Sequence, residues 1–132
     1  MLDLGASVNL FTYSNYKQLG LGELKATTIT LSLADSSIKV PKGVVEDALV
    51  QVEKFYYLVD FVVLDIEPLK NGVNSIPIIL GRPFLAIANA LINCRNGLMQ
   101  LSFRNMTMEM NVFNLCSNRW TMMIWRMRKH AL

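Results

Sequence analysis

The sequence has very few of the residues that usually build metal sites and nucleophile pairs. It contains one histidine, His130, and two cysteines, Cys94 and Cys116. Without a histidine cluster or a close cysteine pair, neither a zinc site nor a disulfide framework is indicated. A Ser-His or Cys-His nucleophile in the body of the chain is excluded as well, because His130 lies in the basic C-terminal segment. We expect both thiols to be reduced and buried.

Long hydrophobic runs are also lacking, although 52% of the 132 residues are hydrophobic. No uninterrupted apolar stretch approaches the roughly 18 residues that predict a membrane-spanning helix. The first residues carry Asp3 where a secretory leader carries basic residues, and no apolar stretch with a cleavage site follows. We therefore expect one folded domain without a transmembrane segment, in an intracellular protein of the cytoplasm or nucleus.

A glycine-rich phosphate loop is absent, because GLGEL at 20–24 lacks the later glycine and the lysine. Charge is unevenly distributed: residues 1–118 hold nine Lys and Arg against ten Asp and Glu, whereas residues 119–132 hold four basic residues and no acid. A neutral body argues against a nucleic-acid groove, since phosphate binding needs clustered cations. The residues that remain for chemistry are carboxylates, at Asp3, Asp35, Asp47, Asp60 and Asp65.

Several segments have the composition of β-strands. The segment TTITLSLA at 27–34 alternates apolar and polar residues, and the segments at 44–52 and 55–64 are rich in β-branched and aromatic residues. The apolar segment IPIIL at 76–80 predicts a strand that is buried on both sides. The segment MTMEMNVF at 106–113 alternates again and predicts one further strand.

Two short helices are predicted between these strands. Residues 14–19 predict a helix that Ser14 caps and Gly20 ends. Pro83 suits a first helical turn and predicts a second helix, which covers residues 84–89. No strands alternate with long helices, so the pattern predicts a small, mostly antiparallel β barrel or sandwich.

Three segments predict chain reversals. Residues 35–37 have the composition of a turn, and residues 41–43 predict a second one through their proline and glycine. Asn96–Gly97 stands between two apolar segments and predicts a tight hairpin, because both residue types accept a positive φ.

Asp3 differs from the other carboxylates in its neighbours. It is followed by a turn of mostly small residues, Leu4, Gly5, Ala6 and Ser7. Such a turn lets backbone amides approach and hydrogen-bond a carboxylate, which keeps a buried acid ionisable. A surface aspartate in a glycine turn has the same local sequence, so this turn by itself leaves both interpretations open.

Two distant motifs carry a resemblance to a known family: the Asp-x-Gly-Ala turn at 3–6 and an apolar strand that ends in Gly-Arg at 76–82. Together with LADSSIKVPKGVVEDALVQVEKF and VDFVVLD between them, they resemble the retropepsin-like aspartic protease domain in Gag-Pol polyproteins of plant gypsy-type retrotransposons. This resemblance covers residues 2–113. The chain also resembles, less strongly, the dimeric retropepsin-like domain of ubiquitin-shuttle proteins.

The resemblance implies a fold and a mechanism. The fold is a small closed antiparallel barrel of the acid-protease type with one or two short helices, in a domain of residues 1–113 that lacks its N-terminal strand. In the family, two carboxylates share one proton and activate a water molecule that hydrolyses a peptide bond. Asp3 is the only aspartate in a matching turn, so the resemblance implies a homodimer that acts on a polypeptide without metal or cofactor.

The resemblance also assigns roles to particular residues. The catalytic carboxylate is Asp3, in a turn formed by Leu4, Gly5 and Ala6. The flap, a hairpin tip that closes over the substrate, is assigned to Val40, Pro41, Lys42 and Gly43. The second motif consists of Leu80, Gly81 and Arg82.

Three features depart from the family pattern. Leu4 replaces the Ser or Thr whose hydroxyl braces the two acidic turns across the dimer. Ser7 stands where the family often has a carboxylate that pairs with the arginine, so Arg82 needs another partner. No strand precedes Met1, which predicts an open sheet edge. An inactive remnant, which at most dimerises or binds peptides, is therefore the alternative to an active endopeptidase.

Residues 114–132 lie outside the resemblance, and we interpret them as an unrelated basic tail. Trp120, Met123, Ile124 and Met127 have near-helical spacing beside basic residues, a pattern that also fits a helix on a membrane surface or on nucleic acid. We favour a tail without either contact, because its Met and Trp content has no continuity with the domain.

Overall fold

The structure, a computed structural model, describes residues 4–33, 36–65 and 78–111 and the backbone of residues 122–126. These residues are mostly β with two short helices, which confirms the predicted fold class. In chain order the elements are β1 (Leu10–Thr12), α1 (Tyr13–Leu19), β2 (Leu31–Ser32), β3 (Ile38–Lys39), β4 (Gly43–Val52), β5 (Phe55–Leu64), α2 (Arg82–Ile87), β6 (Leu91–Asn93), β7 (Leu98–Phe103), β8 (Met106–Asn111) and β9 (Met122–Arg126).

The described strands form three sheets. The largest has the order β1-β5-β4-β9, a three-stranded sheet has the order β6-β7-β8, and β2 pairs with β3 alone. All pairs are antiparallel except β1 with β5, which run parallel with Leu10 opposite Val62. On its other side, Leu10 forms an antiparallel bridge with Ile79. The short strand β1 is therefore held from two sides.

The hydrophobic core lies along one face of β4 and β5. In β4, buried and less buried residues alternate, as expected for a strand with one face in the core. In β5 the alternation ends at Asp60, and all of residues 61–64 are buried. Strand β1 pairs beside this end of β5, and the continuous burial of residues 61–64 indicates that both faces of the strand are covered there. Aromatic rings pack closely there, with 4.7 Å between the ring centroids of Phe11 and Phe61.

Both helices differ slightly from their predictions. Helix α1 is capped by Thr12 and not by Ser14: the Thr12 hydroxyl accepts a hydrogen bond from the Asn15 amide at 3.1 Å. Thr12 has the extended backbone of an N-cap because it still belongs to β1. Gly20 ends this helix with φ 60°, as predicted. Helix α2 begins at Arg82, two residues before the predicted start, and includes Pro83 in its first turn.

One predicted strand is shorter in the structure, and a second is described only in part. Of the described residues 27–33, only Leu31–Ser32 is a strand, and Ile29 is 41% exposed. In the segment 76–80, Ile76 and Pro77 lie outside the described residues, and Ile79 forms a bridge to Leu10. Residues 27–33 have the alternating side-chain pattern, but only Leu31 and Ser32 pair with another strand.

The hairpin that precedes β4 reverses at the first of the two predicted turns, near residues 35–37, and not at residues 40–43, where its tip was predicted. In it Leu31 pairs with Lys39, and Ser36 has φ 69°, so the chain turns within residues 33–37. Residues 40–43, the predicted tip, instead connect β3 to β4. Gly43, the first residue of β4, is buried, and a Cβ on it would clash with the Lys25 carbonyl oxygen. The glycine is required by close packing and not by a reversal.

The Asn96–Gly97 turn joins β6 to β7 as predicted, and Gly97 has φ 70°. Cys94 stands in the same turn and is exposed, contrary to the expected burial. Turns lie at the surface because their backbone polar groups need water. Cys116 lies outside the described residues.

Part of the C-terminal tail is a strand. The backbone of β9 pairs with β4, from Val52 opposite Met122 to Ala48 opposite Arg126. This segment is therefore not the helix that its spacing allowed. The rest of residues 114–132 lies outside the described part, and the unrelated origin of the tail stays a prediction. The longest helix of the described residues has seven residues, and no helix among them has the length and apolarity to cross a membrane.

Candidate functional site

The turn that follows the candidate catalytic residue is described from Leu4 onwards, and Asp3 itself lies outside the described residues. Leu4 and Gly5 form a turn, and Ala6 is half-buried behind them. The side chain of Leu4 is 58% exposed and carries no hydrogen-bonding group. The turn therefore presents an apolar side chain where a hydroxyl was expected from the family pattern.

The structure brings the described parts of the two motifs together. The amide of Arg82 donates a hydrogen bond to the carbonyl oxygen of Ala6 at 2.9 Å. Gly81 lies against the same loop so closely that an added Cβ would stand 2.7 Å from the Ala6 oxygen and would clash with the Val8 oxygen. This position excludes every side chain, which explains the glycine of the Gly-Arg motif on steric grounds.

A third residue, Asn9, connects these motifs, and sequence reasoning missed it. Its side chain is 2% exposed and makes two hydrogen bonds. The Oδ1 atom accepts from the Gly81 amide at 2.9 Å, and the Nδ2 atom donates to the Asp60 carbonyl oxygen at 3.1 Å. Its own carbonyl oxygen accepts from the Val62 amide at 2.8 Å. The only local signal was a polar residue directly before the apolar strand β1.

The base of the site is fixed by backbone pairing and by helix α2. Leu10 and Ile79 exchange two backbone hydrogen bonds, each 2.8 Å long. Directly after Gly81 and Arg82, the side chains of Phe84 and Leu85 enter the core. The Phe84 ring meets Tyr57 edge to face, with 5.2 Å between the centroids. The Gly-Arg motif is thus held by a strand bridge before it and a buried helix after it.

The Arg82 side chain has no carboxylate partner within the described residues, where it is exposed. Ser7, the residue at the position where the family often has an acid, is exposed as well. The described contacts between the two motifs are instead made by backbone groups and by the Asn9 amide.

Of the other candidate carboxylates in the described residues, Asp60 and Asp65 have structural contacts. Asp60 accepts a hydrogen bond from the Asp47 amide at 3.0 Å, across the β-bulge between Val45 and Ala48. Asp65 approaches Lys42 at 3.8 Å. Asp35 lies outside the described residues. None of the described carboxylates belongs to a cluster of three or more metal-ligating side chains.

The four residues of the predicted flap lie at the base of the β2-β3 hairpin. Val40 is 73% exposed, whereas Pro41 and Gly43 are buried. The Lys42 amide donates to the Val63 oxygen at 2.8 Å, and its ammonium group lies 4.1 Å from the centroid of the Tyr13 ring. This segment is anchored to the body, while the hairpin beyond it has only two residue pairs.

A groove of about 390 Å³ lies beside the Asn9 anchor. Val8, Pro83 and Ile87 line it with apolar side chains, and the exposed residues Asp47 and Asp60 line it as well. Outside the lining of this groove, burial raises the pKa of Tyr57 to about 12. Its hydroxyl donates to the Ser102 carbonyl oxygen at 3.0 Å, so it acts as a neutral donor.

The fold is similar to that of a solved structure, the retroviral protease-like domain of Ddi1 from Leishmania major. The TM-score is 0.56 and the identity 13%, and the match covers all of this chain and 86% of that one. No family model and no curated protein matches the sequence. At this identity the likeness shows the fold alone, and it identifies the mostly β architecture with two short helices as retropepsin-like, as predicted.

Proposed function

We propose that this chain is an aspartic-type endopeptidase domain whose catalytic carboxylate is Asp3. The observation that carries this proposal is the contact between the turn after Asp3 and the Gly-Arg motif, in which the Arg82 amide binds the Ala6 oxygen. The contact occurs in a fold similar to a retroviral protease-like domain. A loop fixed in this way holds a carboxylate in one place, which general acid–base chemistry requires.

The reaction needs two such carboxylates, so we propose a homodimer with Asp3 of each copy beside its two-fold axis. One carboxylate is ionised and removes a proton from a water molecule, whose oxygen bonds to the peptide carbonyl carbon. The protonated carboxyl group donates its proton to the carbonyl oxygen. When the C–N bond breaks, the amine leaves with the proton that the first carboxylate had taken, and the carbonyl oxygen reforms its double bond by returning a proton to the pair.

We assign the flap function to the β2-β3 hairpin, with Val40 to Gly43 as its anchored base. Ile38 and Val40 are 70% and 73% exposed, and they support this assignment as apolar contacts for an extended polypeptide. Closure of such a hairpin removes water from the reacting groups. From the resemblance of the sequence, we further propose that the substrate is a retrotransposon Gag-Pol polyprotein, of which this domain is a part.

The proposal is tested with the purified chain, the variant Asp3→Asn and an apolar peptide substrate at acidic pH. We expect a dimer by sedimentation equilibrium, and we expect Asp3→Asn to remove cleavage while the dimer persists. Asp47→Asn is a matched control, because it makes the same chemical change at an exposed residue with φ 56°, a backbone conformation that asparagine tolerates. It is expected to cut like the wild type.

Cleavage by Asp3→Asn at the wild-type rate would refute the proposal. A dimer that binds the peptide but does not cut it at any pH would support the inactive alternative.

A further inference from the structure

We propose that Asn9 is a positioning residue of this site: its side-chain amide fixes the catalytic turn against the Gly-Arg motif. The catalytic part of this inference rests on the proposed function. The structural part stands on described contacts alone.

The Asn9 amide is the point at which three separate segments meet. It accepts from the Gly81 amide at 2.9 Å and donates to the Asp60 oxygen at 3.1 Å, and these partners are 72 and 51 residues away in the sequence. Asn9 is 2% exposed; its bond to the Gly81 amide is buried, and its bond to the Asp60 oxygen is partly buried. An apolar residue at position 9 would leave the buried Gly81 amide without its acceptor and the Asp60 oxygen without this donor.

The effect of Asn9 reaches the catalytic turn through one further bond. Gly81, which Asn9 holds, is followed by Arg82, and the Arg82 amide binds the Ala6 oxygen at 2.9 Å. Residues 6–9 and 81–82 thus form a closed ring with two hydrogen bonds, three residues after Asp3. If the Asn9 bond to the Gly81 amide is lost, Gly81 is no longer held in place, and the adjacent bond from the Arg82 amide to the Ala6 oxygen is weakened.

An ion pair has no comparable role among the described residues. The Arg82 side chain is exposed and has no carboxylate partner there, and Ser7 carries no charge. An ion pair of an exposed side chain is also screened by water and loses side-chain entropy, whereas Asn9 is short, buried and bonded at both ends. The Asn9 amide therefore fixes the spacing of the two motifs more closely than a surface ion pair would.

The test compares Asn9→Leu, Asn9→Asp and Thr12→Val in the full chain. Asn9→Leu has a similar shape and loses both bonds. Asn9→Asp keeps an acceptor for Gly81 but, when ionised, has no donor for the Asp60 oxygen. Thr12→Val is the matched control, because Thr12 is 5% exposed and caps α1 without contacting either motif.

The first measurement is amide hydrogen exchange, which needs no activity. In both Asn9 variants we expect the Arg82 amide to exchange about tenfold faster relative to the β7 and β8 amides, which is the size of effect expected for the loss of one hydrogen bond. In Thr12→Val we expect all these amides to change in the same proportion. Equal changes in the Asn9 variants and the control would overturn the inference.

Lowering the pH distinguishes the loss of the Asn9 hydrogen bonds from a change in packing, because only Asn9→Asp can regain a donor by protonation. Because position 9 is buried and lines a groove together with Asp47 and Asp60, we expect the pKa of a carboxyl group there to lie above the ordinary value for aspartate. Below that pKa the carboxyl group regains an O–H donor, so Asn9→Asp, unlike Asn9→Leu, is expected to recover Arg82 protection as the pH falls. Identical pH profiles for both variants would contradict the inference.

The second measurement is peptide cleavage. We expect kcat of Asn9→Asp to fall about 100-fold above the pKa, as for other displaced catalytic groups, with KM changed by less than about threefold. An unchanged kcat would overturn the catalytic part of the inference. If the wild type does not cut, the proposed function fails, while the exchange data still decide whether Asn9 joins the two motifs.

Discussion

The anchor of the site and the hairpin beside it are built in opposite ways. The anchor, residues 6–11 and 79–84, is formed by buried side chains and by backbone bonds between distant segments. The β2-β3 hairpin has two residue pairs, and its Ile38 side chain is 70% exposed. The first arrangement resists displacement, whereas the second opens at little cost in free energy. In the proposed endopeptidase, the anchor would keep the reacting groups fixed and the hairpin would open to admit a polypeptide.

The largest effect is expected in the anchor, from Gly81→Ala. The new Cβ would clash with the Val8 oxygen and stand 2.7 Å from the Ala6 oxygen, so the backbone of the motif must move. We expect the free energy of unfolding to fall by about 3–5 kcal/mol, measured by urea denaturation.

Gly20→Ala is the control for this change. Gly20 has φ 60° and no atom within 4 Å of an added Cβ, so only backbone strain of about 1–2 kcal/mol is expected there. Equal losses at the two glycines would show that the anchor is not closely packed.

A smaller effect is expected below the anchor, at Tyr57, which packs on Phe84. Its pKa is raised to about 12 because burial disfavours the phenolate. Below pH 10, the ordinary pKa of tyrosine, Tyr57 is neutral in both the folded and the unfolded chain, and its full contribution to stability is present. As the pH rises from 10 to about 12, the unfolded chain loses this proton first, and the free energy of unfolding falls.

We therefore expect thermal unfolding experiments to show a loss of about 1–3 kcal/mol over this interval, which Tyr57→Phe removes. An equally steep loss in Tyr57→Phe would assign the effect to another group. Near neutral pH, Tyr57→Phe is expected to cost about 1 kcal/mol, because the Ser102 oxygen loses its donor.

The smallest effect on stability is expected in the hairpin, from Ile38→Ser. The side chain is largely exposed already, so the free energy of unfolding should change by less than about 0.5 kcal/mol. If the hairpin covers the substrate, KM for an apolar peptide rises severalfold in the same variant. Thr28→Ser, at another exposed residue before the hairpin, is expected to change neither quantity. A stability loss as large as that of Gly81→Ala would mean that the two regions do not differ as described.

The sequence predicted the long central strands well and the hairpin poorly, for a physical reason. Strands β4 and β5 span ten residues each and bury at least one face along most of their length, so their burial agrees with the strands predicted at 44–52 and 55–64. In residues 27–34 the alternation is equally clear, yet most of that segment has no partner strand. Alternation indicates which side chains share a face, but it does not indicate whether a neighbouring strand is available.

The candidate site could be predicted only in part. The Asp-x-Gly-Ala turn and the Gly-Arg motif are contiguous residues, so the sequence displays them directly. Asn9 acts through partners 51 and 72 residues away, and nothing in its own neighbourhood reveals them. Gly43 was interpreted wrongly in the opposite sense. Pro41 and Gly43 have the composition of a turn, but the close approach of the Lys25 oxygen explains the glycine.

The two crowded glycines also have a consequence for mutational drift. Every missense change of a glycine codon adds at least a Cβ, and at Gly43 and Gly81 that atom meets a backbone oxygen that cannot rotate away. At exposed positions, by contrast, a copy of this gene that is no longer under selection accumulates substitutions with little effect on folding. These two codons are therefore sensitive markers of decay: in a set of related copies, those that keep glycine at both are expected to yield folded protein.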